Sequence, residues 1–481
     1  MLLHTSHGDL PSFGSRRPIS APARAQGRLA STAILLACLA ASLAIAQSAA
    51  APSGITALTH VRVIDGTGRT PLEDATVVIE GNHILSIQRG GAALPAAARV
   101  LDFHGDTVMP GLINAHGHLA LIADGQNSAT AYTAENVLAE LRQYESYGVT
   151  TMLSLGLNRD LLYPIRQQQQ EGKLDGATVL TAGRGIGVPG AAPGLPVAPD
   201  QLYRPASPEE ARAVVDAMAK QHADIVKIWV DSLGGTKPAM SPEIYRAVIE
   251  EAHKQHLRVA AHIYYLADAK SLVNDGVDVL AHSVRDKPVD QELISAMKRR
   301  GVWYIPTFTV DESFYIYAQH PGFMQLDFFK AALPPTLLAM LSSDEYSQKI
   351  SKDPNTAQHQ ADFAMDQKNL KTLYDAGVHV GFGTDSGAMP VRIPGFSEHR
   401  ELEDMVQAGL TPMQAIVCAT SNNAMLLGIE AARGTLRPGK RADLVVLAGD
   451  PLSEITNTRS IVAIFHDGRT VTPRVPAVTA R

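Results

Sequence analysis

From about residue 106 the chain alternates short apolar runs with amphipathic stretches, and this alternation leaves few architectures open. After Thr107 to His118 the runs are Val149 to Leu155, Thr178 to Gly183, Asp224 to Val230, Leu257 to His262, Val277 to His282, Val302 to Thr307 and Val378 to Asp385. Several of the stretches between them open on recognisable helix starts. Ser207-Pro208-Glu209-Glu210, Ser241-Pro242-Glu243 and Thr411-Pro412-Met413-Gln414 each set a capping residue before proline at the first helical position. Runs that are apolar on both faces read as parallel strands covered by helices. Eight of them in alternation predict an α/β fold, a (β/α)8 TIM-like barrel over 106–430, rather than an open sheet.

The flanks read differently. In 54–105, Ile55 to Ile64, Thr76 to Glu80 and His83 to Gln88 are β-branched and separated by the turns Asp65-Gly66-Thr67-Gly68 and Glu80-Gly81-Asn82. In 431–475, Leu444-Val445-Val446-Leu447 and the segment Ser460 to Phe465 follow a turn-rich approach. The two ends are expected to pair as one small β domain beside the barrel.

Residues 1–30 are polar, with Arg16, Arg17, Arg24 and Arg28 against Asp9 as the one acid, and they lead into the apolar stretch Leu29 to Ala46, which ends Ala44-Ile45-Ala46. That order is a secretory signal peptide. Removal of residues 1–46 would leave a secreted or periplasmic protein with no stable membrane span. An uncleaved anchor, a lipid anchor at Cys38 in Leu35-Leu36-Ala37-Cys38 and twin-arginine export at Arg16-Arg17 are the lesser alternatives. The mature chain keeps only Cys418, so it can form no intrachain disulfide, and Cys418 lies in a helical pattern that suits a buried small residue. A net charge of −6 with no basic run argues against a nucleic-acid partner.

Barrel active sites stand at the C-terminal ends of the strands. His116-Gly117-His118 ends the first run, and histidines two apart on a strand face the same way, as one metal ion requires. Lys227 lies on the fourth run, His262 closes the fifth, His282 the sixth and Asp385 the eighth. Each has an ordinary reading alone, as a core histidine, a snorkelling lysine or a helix cap. Placed at successive strand ends, the six point to one site. Tyr264, Tyr265 and Arg285 directly follow ligand runs and are candidates to meet a substrate carboxylate or carbonyl, beside a packing role. The aromatic segment Asp311 to Asp362 reads as a helical lid or as a plain helical insertion.

Val108 to His118, Asp224-Ile225-Val226-Lys227-Ile228, Val259-Ala260-Ala261-His262, Gly276 to His282, Gly381-Phe382-Gly383-Thr384-Asp385 and Gly434 to Pro451 together resemble the amidohydrolase superfamily, within it the imidazolonepropionase-like and Xaa-Pro dipeptidase-like group. The resemblance covers essentially everything from residue 54 onward. It implies a metal-loaded (β/α)8 barrel with a small β-sandwich built from both chain ends. It also implies two divalent metal ions, zinc being what histidine-rich sites favour. His116, His118 and Asp385 would hold one, His262 and His282 the other, and Lys227 would bridge them as a carbamate formed with CO2. A hydroxide between the ions would attack the substrate, with Asp385 taking its proton and passing it to the leaving group.

Two loops depart from the family pattern. Asp231-Ser232-Leu233-Gly234-Gly235 stands where relatives commonly have a compact Ser-Gly-Gly, and Arg184 to Tyr203 lacks the histidine of Gly-Gly-His relatives. Substrate, not reaction type, is thereby in question. The expectation is an exported binuclear metal-dependent hydrolase cleaving an amide, dipeptide-like or N-acyl amino acid bond in a small molecule. A lactone, cyclic amide or phosphotriester hydrolase is the enzymatic alternative, and a catalytically lapsed binding or assembly protein the non-enzymatic one; a homo-oligomer is left open.

Overall fold

The computed structural model describes residues 54–90, 93–96 and 98–476. The expected signal peptide, residues 1–46 with Cys38, lies outside them.

The apolar runs become parallel strands. Leu112–Gly117, Val149–Ser154 and Thr178–Thr181 form a three-stranded sheet. Val226–Trp229, Val259–His262, Val279–Ala281, Trp303–Ile305 and His379–Val380 form a five-stranded one. Helices intervene, among them Ala134–Ser146, Pro208–Lys220, Pro242–Lys254 and Gln291–Arg300. The fold is therefore α/β. Backbone hydrogen bonds also join segments that follow the last strand of each sheet to the first strand of the other. Ile186 N donates to Lys227 O at 2.8 Å and its carbonyl accepts from Trp229 N at 3.1 Å, while Ala115 N donates to Phe382 O at 3.0 Å and His118 N to Ser386 O at 2.8 Å.

The helix starts behave as their sequences dictate. Ser207 Oγ accepts from Glu210 N, and Thr411 and Gln414 cap each other reciprocally. Ser241 precedes its helix without a side-chain cap bond.

Two runs differ from the sequence reading. Thr107 to His118 is two strands, because Thr107–Pro110 pairs antiparallel with Leu444–Leu447 whereas Leu112–Gly117 joins the parallel sheet. Gly111 sits at the switch: a Cβ there would overlap the Thr150 side chain, and its N–H donates to Asp443 O at 3.0 Å. The last run keeps strand pairing only at His379–Val380. Beyond it a Cβ on Gly383 would lie 2.6 Å from His116 Cβ, and Phe382 N donates to Asn423 Oδ1 at 2.9 Å. The chain passes too close to the His116 strand for side chains, and Asp385 stands on a turn instead of closing a strand.

The two chain ends share one mixed eight-stranded sheet. Its order runs Arg469–Val471, Ile461–His466, Leu444–Leu447, Thr107–Pro110, Ile55–Val63, Leu72–Glu80, His83–Arg89, with Arg99–Asp102 also beside Ile55–Val63. Leu58, Val77, Val108, Leu444, Val446 and Phe465 are buried together there, each contributing about 1.5–3 kcal/mol. The segment 311–362 is helical, with Pro335–Leu341 and Asp344–Lys352 inside it. Phe328 and Phe329 are buried, and the Tyr147 hydroxyl donates to Phe328 O at 3.0 Å. Among the described residues no helix is long and apolar enough to cross a membrane.

Candidate metal centre

Strand register brings the candidate ligands together. Trp229, His262, Ala281 and Ile305 stand level across four neighbouring strands. Lys227, two residues before Trp229, shares its face from one layer below, level with the small Ala260. Strict alternation would turn His282 away from that face, since Ala281 already occupies it. Its φ of +96° breaks the alternation, and its ring lies 4.3 Å from that of His262 and 4.5 Å from that of His116, centroid to centroid. Asp385 also has a left-handed backbone, at φ +55°. Such conformations are uncommon for residues with a Cβ and tend to mark functional sites.

One atom each from His116, His118 and Asp385 lies within 4.8 Å of the others. His118 Nε2 is 2.9 Å and His116 Nε2 3.2 Å from Asp385 Oδ1, the second contact lacking hydrogen-bond alignment. Asp385 Oδ2 takes an ion pair from Arg392. Three histidines are held from behind through their other ring nitrogen. His262 Nε2 meets Asp231 Oδ2 at 2.9 Å, His282 Nδ1 meets Thr307 Oγ1 at 2.8 Å, and His118 Nδ1 meets Gly156 O at 3.3 Å. This is how metal-binding imidazoles are usually oriented. Asn114, Thr384 and Ser386 all donate to Glu398 Oε1 at 2.7 Å, and Asn114 Oδ1 accepts from His116 N at 2.9 Å. That buried network fixes the Asp385 turn against the His116 strand.

Lys227 Nζ and both ring nitrogens of His116 are buried without a hydrogen-bond partner. Burial, reinforced by the Lys227 charge, brings His116 down to about 3. Burial also brings Lys227 down to about 7, against the pull of Asp385 and Asp231. His262 and His282 are lowered by burial as well. At Asp385 burial opposes ionisation, but the Arg392 charge and the facing His116 and His118 rings outweigh it and hold the carboxyl well below its ordinary range. Neutral imidazoles, an ionised carboxylate and an amine near its neutral point form a donor set that suits divalent cations.

A cavity of about 190 Å³ opens over His118, His262, His282 and Asp385. Its walls include Leu157, Pro193, Leu195, Trp229, Leu233 and Met389, with Arg392 beside Asp385. Both loops that depart from the family pattern reach it. Tyr264, Tyr265 and Arg285 are not among its lining residues. Arg285 pairs with Asp311 at 2.8 Å and lies over the Tyr264 ring, whose hydroxyl donates to Asp362 Oδ1 at 2.9 Å; Tyr265 packs edge-on against Tyr264. The segment 311–362 supplies no lining residue either. A larger open groove of about 680 Å³ beside Arg142, Glu145 and Arg469 holds none of the candidate ligands.

The chain belongs to the amidohydrolase family, which matches residues 107–471. Ochratoxinase of Aspergillus niger is 27% identical over 268 residues, 54% of this chain and 48% of that protein, so the chain spans about half the length of this relative. Imidazolonepropionase of Streptomyces griseus is 23% identical over 82% of this chain and 92% of its own. Among solved structures, a candidate prolidase from Bifidobacterium longum is 26% identical, with a TM-score of 0.69 over 89% of this chain and 97% of its own.

Proposed function

We propose that this protein is an exported, binuclear metal-dependent amidohydrolase that cleaves an amide, dipeptide-like or N-acyl amino acid bond. The observation that carries the reading is the convergence of His116, His118, Lys227, His262, His282 and Asp385, with Lys227 Nζ and the His116 ring buried and unpartnered among them. An unpaired buried ammonium is costly. Conversion of Lys227 to a carbamate by CO2 would reverse its charge and offer oxygen ligands to the ions, and a pKa near 7 leaves part of the amine free to react. His116, His118 and Asp385 would hold one ion and His262 and His282 the other.

The ions, zinc by ligand type, would supply a water-derived nucleophile at neutral pH and polarise the substrate carbonyl. Asp385 is ionised at that pH and faces the cavity, so its carboxylate can take a proton from the attacking water and return it to the departing nitrogen. Arg392 keeps it in the accepting form. Retention of all six groups argues against a lapsed binding protein.

For the architecture we propose a closed (β/α)8 barrel over 106–430, with 54–105 and 431–475 as one flanking β-sandwich domain. Supporting closure, Ala115, Leu153, Ile225, Ala260, Val279 and Ile305 form one buried cluster drawn from both parallel sheets and their flanks. Support for the amide comes from the names of the relatives, and export rests on the N-terminal sequence. A screen of zinc-reconstituted protein against N-acyl amino acids, dipeptides, lactones and phosphotriesters tests the reaction: turnover of the amides is expected, and turnover of the esters alone would overturn it. N-terminal sequencing of secreted protein should begin near Gln47.

A further inference from the structure

We infer that the mouth of this site selects substrates carrying a bulky apolar or aromatic group next to the scissile bond, and that Leu233 is the residue that sorts them. For the kind of bond, though not for the pocket, this rests on the amide reading above.

Leu233 stands apart from the other large apolar side chains. Among the described residues Leu85, Val100, Leu233, Leu326, Met340 and Met425 are exposed, and of these only Leu233 lines the cavity. It is 39% exposed, so core burial does not account for it. Its backbone is left-handed, at φ +46°, in a loop where Gly234 and Gly235 adopt the same region at φ +71° and +80° without penalty. A branched side chain held in that conformation and turned to solvent incurs a cost twice over. Such an outlier points toward a use outside the fold.

The loop is also anchored. Leu233 N donates to Asp231 Oδ1 at 2.9 Å, Thr236 Oγ1 donates to Leu233 O at 2.6 Å, and the other oxygen of Asp231 holds His262. One carboxylate thus fixes both a candidate metal ligand and the residue at the mouth. Across the opening a Cβ on Gly194 would meet Leu233 Cδ1 at 4.0 Å, so the two divergent loops face each other there. Leu157, Ala192, Pro193, Leu195, Trp229 and Met389 continue the same apolar surface inward. An apolar cavity of about 150 Å³ holds a benzene ring. The roughly 190 Å³ here, which includes the space over the candidate ligands, is of the size that takes a phenyl or isobutyl group.

The test separates the pocket from the reaction. Calorimetry on zinc-reconstituted protein compares benzylphosphonate with methylphosphonate, which share the anion and differ in the apolar group. The benzyl compound is expected to bind roughly 10-fold or more tightly, the scale on which apolar pockets discriminate. In Leu233→Gly, which relieves the backbone, the preference should shrink to about a third or less with metal content kept; Leu233→Asn, tolerated in the left-handed region, gives the same reading if the glycine variant does not fold. Equal binding of the two phosphonates by the wild type, or an unchanged preference in the variant, would overturn the inference. In parallel, kcat/KM is compared for N-acetylphenylalanine and N-acetylglycine. No turnover of either, with benzylphosphonate still preferred, defeats the amide reading and leaves the pocket standing; turnover without preference for phenylalanine defeats the pocket and leaves the reaction.

Discussion

The floor and the mouth of the cavity are made of different material. On the floor, His116, Lys227 and His262 stand on strands, and His282 and Asp385 occupy buried left-handed positions past the ends of theirs. At the mouth, Ala192 to Leu195, Leu233, Ala388 and Met389 come from loops and are mostly apolar. Rigid strands set donor positions that must be right to a fraction of an ångström, whereas loops can change the walls without disturbing them. The proposed function therefore places chemistry on the floor and choice of substrate at the mouth. It predicts that substitutions below abolish function and substitutions above redistribute it.

Lys227→Ala should have the largest effect, losing metal and turnover together, and a short carboxylic acid added with zinc should restore part of both by filling the vacated space. Elemental analysis and kinetics of one preparation check this; full metal and normal turnover in the variant would break the floor assignment. Asp385→Asn keeps the shape and removes the proton acceptor, so kcat should fall roughly 10²-fold or more. Metal content measured alongside separates proton transfer from ligation.

Asp231→Asn probes the seam between floor and mouth, because Asp231 backs His262 and ties down Leu233. Loss of such a backing carboxylate typically costs 10- to 100-fold in metal affinity. A chelator competition should show that drop, and the preference for benzylphosphonate should weaken in the same variant. If affinity falls while the preference stays intact, the two regions are independent.

The smallest effect on turnover concerns a buried carboxyl that does not line the cavity. Buried Glu401 accepts from Phe308 N at 2.8 Å and Thr309 N at 3.1 Å, and burial raises its carboxyl to about 8 from 4.5. Between those values the folded chain keeps a proton that the unfolded chain has released. The stabilisation is therefore full below about pH 4.5 and is lost as pH rises through about 8. Thermal melts from pH 5 to 9 should show Tm falling in the wild type and falling less in Glu401→Gln.

The floor was legible in the sequence because its spacing follows strand periodicity. His116 and His118 two apart, and His262 and His282 at the ends of apolar runs, need no long-range information. What periodicity could not give is the turn geometry: alternation alone would have pointed His282 outward, and Asp385 stands on a turn past a strand that ends at Val380. The supporting groups were hidden for another reason. Asn114 and Glu398 are 284 positions apart in sequence, and Arg392 reaches Asp385 from within its own loop, where no spacing rule marks it. Tyr264 and Arg285 show what nearness in sequence leaves out. Their nearness to ligand runs suggested substrate contact, but Asp362 and Asp311, from a helical segment far along the chain, engage the Tyr264 hydroxyl and Arg285 Nη1, and neither residue lines the cavity.

The claim on which the rest depends is that the six floor residues hold metal for catalysis. Metal content and turnover should be measured on one preparation as purified, after exhaustive chelation and after zinc is returned. The account predicts about two divalent ions per chain, turnover lost on chelation and turnover restored with zinc. Well under one ion per chain, with hydrolysis indifferent to the chelator, would contradict it.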